Sequence, residues 1–276
     1  MSVRISEQEV RLDDHTTLAR ESNGSGIPLI LIHALSMDSN FWMHGVFERI
    51  AAATSQDGVA RKVIAYDLRG HGRAADAPPA ASAEQLAGDL RTFCLVKQLQ
   101  QVDIAGISYG GAVAQYFAIA SPDLVRSATF IATTAKGVPA FAERASMAEA
   151  QGMDAMMDPS MSRWFLRENL DADTAGVQYA RKQLRATSVA NWAAAWRVLS
   201  RVDSLERLGG IHAAVLCLAA KEDTSTPPAF LERIAERCPR ATLRVVEGGM
   251  HFFPLEVPEA TAVELLAFLN GLEAPK

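Results

Sequence analysis

Short apolar runs recur along this chain, separated by amphipathic stretches, and that rhythm limits the fold more than any other feature. Pro28–Ile32 reads PLILI, Lys62–Tyr66 KVIAY, Val102–Ala105 VDIA and Val125–Ala132 VRSATFIA. Runs this short and this apolar suit strands covered on both faces. Between them, Ala83–Gln98 carries Leu86, Leu90, Phe93 and Cys94 at roughly helical spacing. Strand, helix, strand in repetition predicts an α/β fold, a mostly parallel central sheet flanked by helices. Right-handed crossovers then gather the loops at the strands' carboxyl ends on one edge of the sheet.

The rhythm breaks once. From Gly137 to Leu208 the pattern is helical throughout, with helices expected over Phe141–Gln151, Met156–Glu168, Asp173–Ala186 and Val189–Leu205. It resumes with the strand Ala213–Ala219, the helix Pro228–Cys238, the strand Thr242–Val246 and a last helix over Pro258–Leu272. The expected organisation is a core of residues 1–136 and 209–276, with a helical cap of 137–208 inserted late in the sheet. A cap there would cover the carboxyl ends of the strands, where open α/β sheets bind ligands.

Composition narrows the function. The 276 residues are 49% hydrophobic and 21% charged, with net charge −5. Disorder would need lower hydrophobicity and more net charge. Nucleic-acid binding usually needs a basic face, so no nucleic-acid partner is expected. No run approaches the ~18 apolar residues of a membrane span, and the acid-rich start MSVRISEQEVRLDDHTT has no apolar core of a signal peptide. A cytoplasmic protein without a membrane partner is the expectation; a homo-oligomer is left open. Cys94, Cys217 and Cys238 are too few and too scattered for a disulfide framework or a metal site, so neither metal nor organic cofactor is expected.

Gly106-Ile107-Ser108-Tyr109-Gly110 follows the VDIA strand and precedes the helical AVAQYFAIA. G-x-S-x-G between a strand and a helix marks a nucleophile held on a strained turn. A serine hydroxyl needs a base, and the base needs an orienting acid, in the chain order Ser, acid, His. Asp223 follows the strand Ala213–Ala219, with Glu222 as its competitor; Asp223 is favoured because Thr-Ser-Thr-Pro-Pro then leads into the next helix. Among six histidines, only His251 lies in a strand-end loop after both serine and acid. An oxyanion hole needs two backbone N–H groups. Tyr109, after the nucleophile, supplies one, and Leu35, in the loop after the first core strand, the other.

Together these residues resemble the α/β-hydrolase superfamily over nearly the whole chain. Tyr66-Asp67-Leu68-Arg69-Gly70-His71-Gly72 is similar to its D-x-R-G-H-G turn, which is structural there. Within the superfamily the layout most resembles 3-oxoadipate enol-lactonases. His33-Ala34-Leu35-Ser36-Met37-Asp38 with Trp42, Asp76-Ala77-Pro78-Pro79, and in the cap Gly152-Met153, Arg163-Trp164-Phe165 and Arg201-Val202-Asp203 follow that plan. Ala34 and Ser36 stand where glycines are expected; Ala34 would need a backbone conformation easier for glycine. Tyr109 replaces a common Met, and Phe252-Phe253 after His251 is unusually bulky.

The resemblance implies a lactone or ester substrate with a free carboxylate, in aromatic-compound degradation. A carboxylate would pair with an arginine fork, and the cap offers Arg144, Arg163, Arg167, Arg181, Arg185 and Arg197. The candidate pocket is Ala34, Ser36, Arg163, Trp164, Trp196 and Phe252. The expected reaction is acyl transfer from substrate to Ser108 and then to water. Rivals on the same triad are cofactor-free perhydrolysis (haloperoxidase activity) and carbon–carbon bond hydrolysis. A non-catalytic hydrolase-fold binding protein is the rival outside enzymology.

Overall fold

The computed structural model describes residues 2–55 and 58–272. Its eight strands form one sheet in the order β1-β2-β4-β3-β5-β6-β7-β8. They are β1 (Ile5–Arg11), β2 (Thr16–Ser22), β3 (Leu29–Ile32), β4 (Val63–Tyr66), β5 (Val102–Ile107), β6 (Val125–Ile131), β7 (Ala214–Ala220) and β8 (Ala241–Val246). From β4 to β8 in that order every neighbouring pair is parallel. β3, β4 and β5 are buried at every residue, which is why their sequences are apolar throughout, save for Asp103 in β5, whose carboxylate accepts from Arg126 and Ser127. β8 closes one edge and alternates exposed with half-buried positions over most of its length.

Helices flank the sheet. α1 (Val46–Ala52) packs on α11 (Pro258–Asn270), and α2 (Ala83–Val96) on α3 (Tyr109–Ala120); α9 (Pro228–Arg237) packs on β7, and the short α10 (Phe253–Glu256) precedes α11. Each large side chain taken from water into this interior contributes about 1.5–3 kcal/mol.

The other edge is a β1–β2 antiparallel hairpin, joined antiparallel to β4. The apolar-run reading does not mark it, because β1 is exposed at six of its seven positions. Arg69 ties this edge down. Its guanidinium donates to both oxygens of Asp14 at the hairpin turn and both of Asp89 on α2, at 2.7–2.9 Å. The bonds from Arg69 hold the Asp14 carboxyl well below the ordinary carboxylate range. The D-x-R-G-H-G turn is therefore occupied with structure.

Between β6 and β7 lie α4 (Pro139–Gln151), α5 (Met157–Trp164), α6 (Arg167–Asp171), α7 (Ala175–Ala186) and α8 (Val189–Ser200). The outgoing and returning chains meet at a neck. Lys136 bridges Asp203 antiparallel, and the Gly137 amide donates to the Val202 carbonyl at 2.7 Å. That pairing ends α8 at Ser200, short of the expected Leu205. A single helix over Met156–Glu168 is also corrected. Phe165 is extended (φ −131°, ψ 147°), and the Leu166 amide leaves the helix to donate to Glu256 at 2.7 Å. A long-range bond thus replaces a local one.

Candidate active site

β5 ends and α3 begins at Ser108, whose φ of 54° and ψ of −112° lie in a region non-glycine residues seldom adopt. Tight packing enforces the turn. A Cβ at Gly106 would sit 2.1 Å from the Gly110 carbonyl oxygen, and one at Gly110 would sit 2.5 Å from the carbonyl oxygens of Ile32 and His33. The Ser108 amide donates to Ile131 at 2.9 Å, and Thr133 Oγ1 donates to the Ser108 carbonyl at 2.8 Å.

Three loops at the strands' carboxyl ends meet at this serine. Ser108 Oγ lies 2.9 Å from His251 Nε2, and His251 Nδ1 lies 2.8 Å from Asp223 Oδ2. A carboxylate only accepts, so the ring proton sits on Nδ1 and Nε2 is left to accept from the serine hydroxyl. Asp223 Oδ1 accepts the Ser225 and Thr226 amides at 2.7 and 3.0 Å, and Oδ2 also accepts Thr226 Oγ1 at 2.7 Å. Burial would raise this carboxyl; the His251 charge and bond, with the Thr226 bonds, outweigh it and hold the pKa below its ordinary value. Glu222 makes no bond to His251; its Oε2 is buried without a partner among the described residues.

The loop after β3 passes beside Ser108. His33 fixes it, with Nδ1 2.8 Å from the Ala34 carbonyl and Nε2 accepting the Leu68 amide at 2.9 Å. Burial pushes the His33 pKa down to about 4, so the ring stays neutral. The amides of Leu35 and Tyr109 donate to no protein group among the described residues.

The chamber over Ser108 is lined on the core side by Ala34, Leu35, Thr133, Ser225, Thr226 and His251. Phe141, Arg144, Trp164, Trp196 and Leu199 line it from the helices between β6 and β7, with Phe252 from the histidine loop. It is tight: the space open to the centre of a water-sized sphere is ≈ 20 Å³, room for about one water. Trp164 and Phe252 stack with ring centroids 4.6 Å apart. Arg144 lies over Trp196 at 4.5 Å and Phe141 at 5.4 Å, and no carboxylate pairs with it among the described residues.

A family model described as alpha/beta hydrolase fold matches residues 27–258. The chain belongs to the alpha/beta hydrolase fold family. It is an enzyme of that family. 3-Oxoadipate enol-lactonase 2 of Acinetobacter baylyi is 28% identical over 200 residues, covering 72% of this chain and 74% of the relative. RutD of Azorhizobium caulinodans, named for carbamate hydrolysis, is 26% identical over 268 residues, 92% of this chain and 95% of the relative. The solved enol-lactonase of Burkholderia xenovorans LB400 superposes with a TM-score of 0.86 at 23% identity, covering 95% of this chain and 99% of that one. At that identity the likeness is one of fold.

Of the residues expected to build this hydrolase's pocket, Ala34, Trp164, Trp196 and Phe252 line the chamber; Ser36 and Arg163 do not. Ser36 faces a separate cavity with His71, Gln183 and Asn191. Ser36, which stands where a glycine is expected, has a positive φ of 64°, whereas Ala34, expected to need a backbone easier for glycine, has none. Arg163 donates to Ser160 Oγ at 3.2 Å, its pKa pushed down to about 10 by burial and by the neighbouring Arg144 charge. Arg144, one of six cap arginines in the sequence reading, is the cation in the chamber. Thr226, Ser225, Thr133, Thr134, Phe141 and Leu199 were missed. Only Thr226, three residues after Asp223, carried a local signal, an Asp-x-x-Thr capping pattern.

Proposed function

We propose that the enzyme is a serine hydrolase that cleaves a small carboxylic ester or lactone bearing a free carboxylate. Ser108 attacks the carbonyl carbon while His251 Nε2 takes its proton. Asp223 keeps the imidazole in the required tautomer and stabilises the imidazolium that forms. The amides of Leu35 and Tyr109 hold the oxyanion, and the α3 N-terminus adds a favourable dipole. The imidazolium then gives its proton to the leaving oxygen. In a lactone that oxygen stays tethered to the acyl-enzyme, and water activated by His251 releases it.

The observation that carries this reading is the line Ser108 Oγ–His251 Nε2, 2.9 Å, and His251 Nδ1–Asp223 Oδ2, 2.8 Å, beneath a chamber with two unused amides. Residues 137–208 act as a cap that supplies the aromatic wall and Arg144. An unpaired, half-buried guanidinium fits a carboxylate. Trp196 Nε1 and Ser225 Oγ, buried in the lining without partners among the described residues, offer further polar contacts to a substrate. Relatives named for enol-lactone hydrolysis make 3-oxoadipate enol-lactone the first substrate to test. Fast loss of the lactone, absent in Ser108→Ala, is the expected result. Turnover of nitrophenyl acetate alone would keep the serine mechanism and reject the lactone.

A further inference from the structure

His251 lies between β8 and α10, in a turn closed locally by the Phe253 amide donating to the Met250 carbonyl at 3.0 Å. Gly248 has φ 83°, and neither glycine in Gly248-Gly249 offers a side chain to pack. Two further bonds tie the residues on either side of the histidine to groups outside this turn. The Phe252 amide donates to the Trp164 carbonyl at 2.9 Å. The Met250 amide donates to Glu256 Oε2 at 2.6 Å. The other oxygen of Glu256 accepts the Leu166 amide and Asn169 Nδ2, both at 2.7 Å. Both flanks of His251 therefore lead to one corner of the cap, the break between α5 and α6.

The fit at this corner is close. A Cβ at Gly249 would sit 2.6 Å from Phe253 Cβ and 3.3 Å from Glu256 Oε2. Among the described residues no lysine or arginine pairs with Glu256; its three donors are neutral, and the charge that acts on it is that of Glu168, of like sign. Such a carboxylate is a costly way to close a loop, since burial disfavours its charge. What it supplies is one rigid acceptor with two faces, one for the base loop and one for the cap. The same cap corner carries Trp164, which stacks on Phe252 in the chamber wall.

We propose that Glu256 is a positioning residue of this hydrolase, tying the His251 loop to the α5–α6 corner so that base and Trp164 wall are held as one unit. The inference rests on His251 being the general base. Displacing a catalytic group by about 1 Å can cost about 10²-fold in rate, so the tie should appear in kcat.

Glu256→Gln tests it. The amide orientation that keeps both cap bonds turns an NH2 against the Met250 N–H and breaks the tie on the histidine side. The expected result is a folded protein with kcat down about tenfold to a hundredfold and KM for the same ester within about threefold. The low-field proton resonance of His251 Nδ1–H should move or broaden. A folded variant with wild-type kcat and an unmoved resonance would overturn the proposal, as would a loss confined to KM. Should Glu256→Gln not fold, Asn169→Ala removes one cap-side bond and leaves Met250 untouched. A smaller fall in kcat at unchanged Tm would then support the tie, and unchanged kcat would overturn it. Labelling of wild-type Ser108 by a fluorophosphonate separates the two levels. Without labelling, the reading of His251 as base fails; with labelling and a fully active Glu256→Gln, only this inference fails.

Discussion

Replacing Asp223 with asparagine puts an NH2 where Oδ2 accepts from His251 Nδ1 and Thr226 Oγ1; the hydroxyl can turn to accept, but the ring bond must reverse. Asp223 Oδ1 accepts two backbone amides, so the asparagine oxygen will take that place and its NH2 will take the place of Oδ2. That NH2 then faces His251 Nδ1. Two donors cannot share the contact, so the ring must carry its proton on Nε2, where it can no longer accept from Ser108. In the Ser-His-Asp template the wrong tautomer costs about 10⁴ in kcat, which is about 5.4 kcal/mol at about 1.36 kcal/mol per decade. Both backbone bonds survive, so the fold should hold. The assay is kcat on any ester the wild type turns over, with Glu222→Gln beside it. A loss below about tenfold in Asp223→Asn, or a larger loss in Glu222→Gln, would refute the reasoning and move the acid elsewhere.

Three other outcomes are expected. Arg144→Leu should raise KM for a carboxylate-bearing ester by about tenfold to a hundredfold, the worth of about 1.5–3 kcal/mol for a hydrogen bond to a charged group, and leave nitrophenyl acetate nearly unchanged; equal effects on both would remove Arg144 from substrate recognition. The Asp223 carboxyl titrates lower in the folded chain than its ordinary 3.8, so it adds stability at higher pH that is lost as pH falls below about 4 towards the native value; the Tm of wild type should fall more than that of Asp223→Asn between pH 6 and pH 3 (~ values spanning that window), and equal falls would contradict the shift. Gly110→Ala puts a Cβ 2.5 Å from two carbonyl oxygens, an overpacking cost of about 1–3 kcal/mol or more; calorimetry should show a clear drop in Tm, and an unchanged Tm would mean the β3–α3 contact is looser than described.

The parts of this molecule legible in sequence are those written locally. A strand, a G-x-S-x-G turn and a helix within residues 102–120 leave one geometry for Ser108, because Gly106 and Gly110 have no room for side chains. Asp223 and His251 could be chosen by chain order because each follows a strand. The sheet itself was legible from β3 to β8, most plainly in β3 and β4, where burial on both faces leaves only short apolar runs. The N-terminal hairpin was not, because its outer strand is an exposed edge rich in polar residues. The helical pattern of residues 137–208 marks helices but not which arginine turns inward. Arg144 and Arg163 sit on different helices, α4 and α5, and packing of α4 against α8 brings Arg144 over Trp196. The α5–α6 break depends on Glu256, some ninety residues further on, a separation no local pattern can show.

The most direct test of a nucleophilic Ser108 is the intact mass of the protein after treatment with a fluorophosphonate, followed by mapping of the adduct. The expected result is one adduct per chain, on Ser108, formed with loss of all ester hydrolysis and absent from Ser108→Ala. An unmodified serine, or hydrolysis that persists in Ser108→Ala, would contradict the assignment of Ser108, Asp223 and His251 as the catalytic machinery.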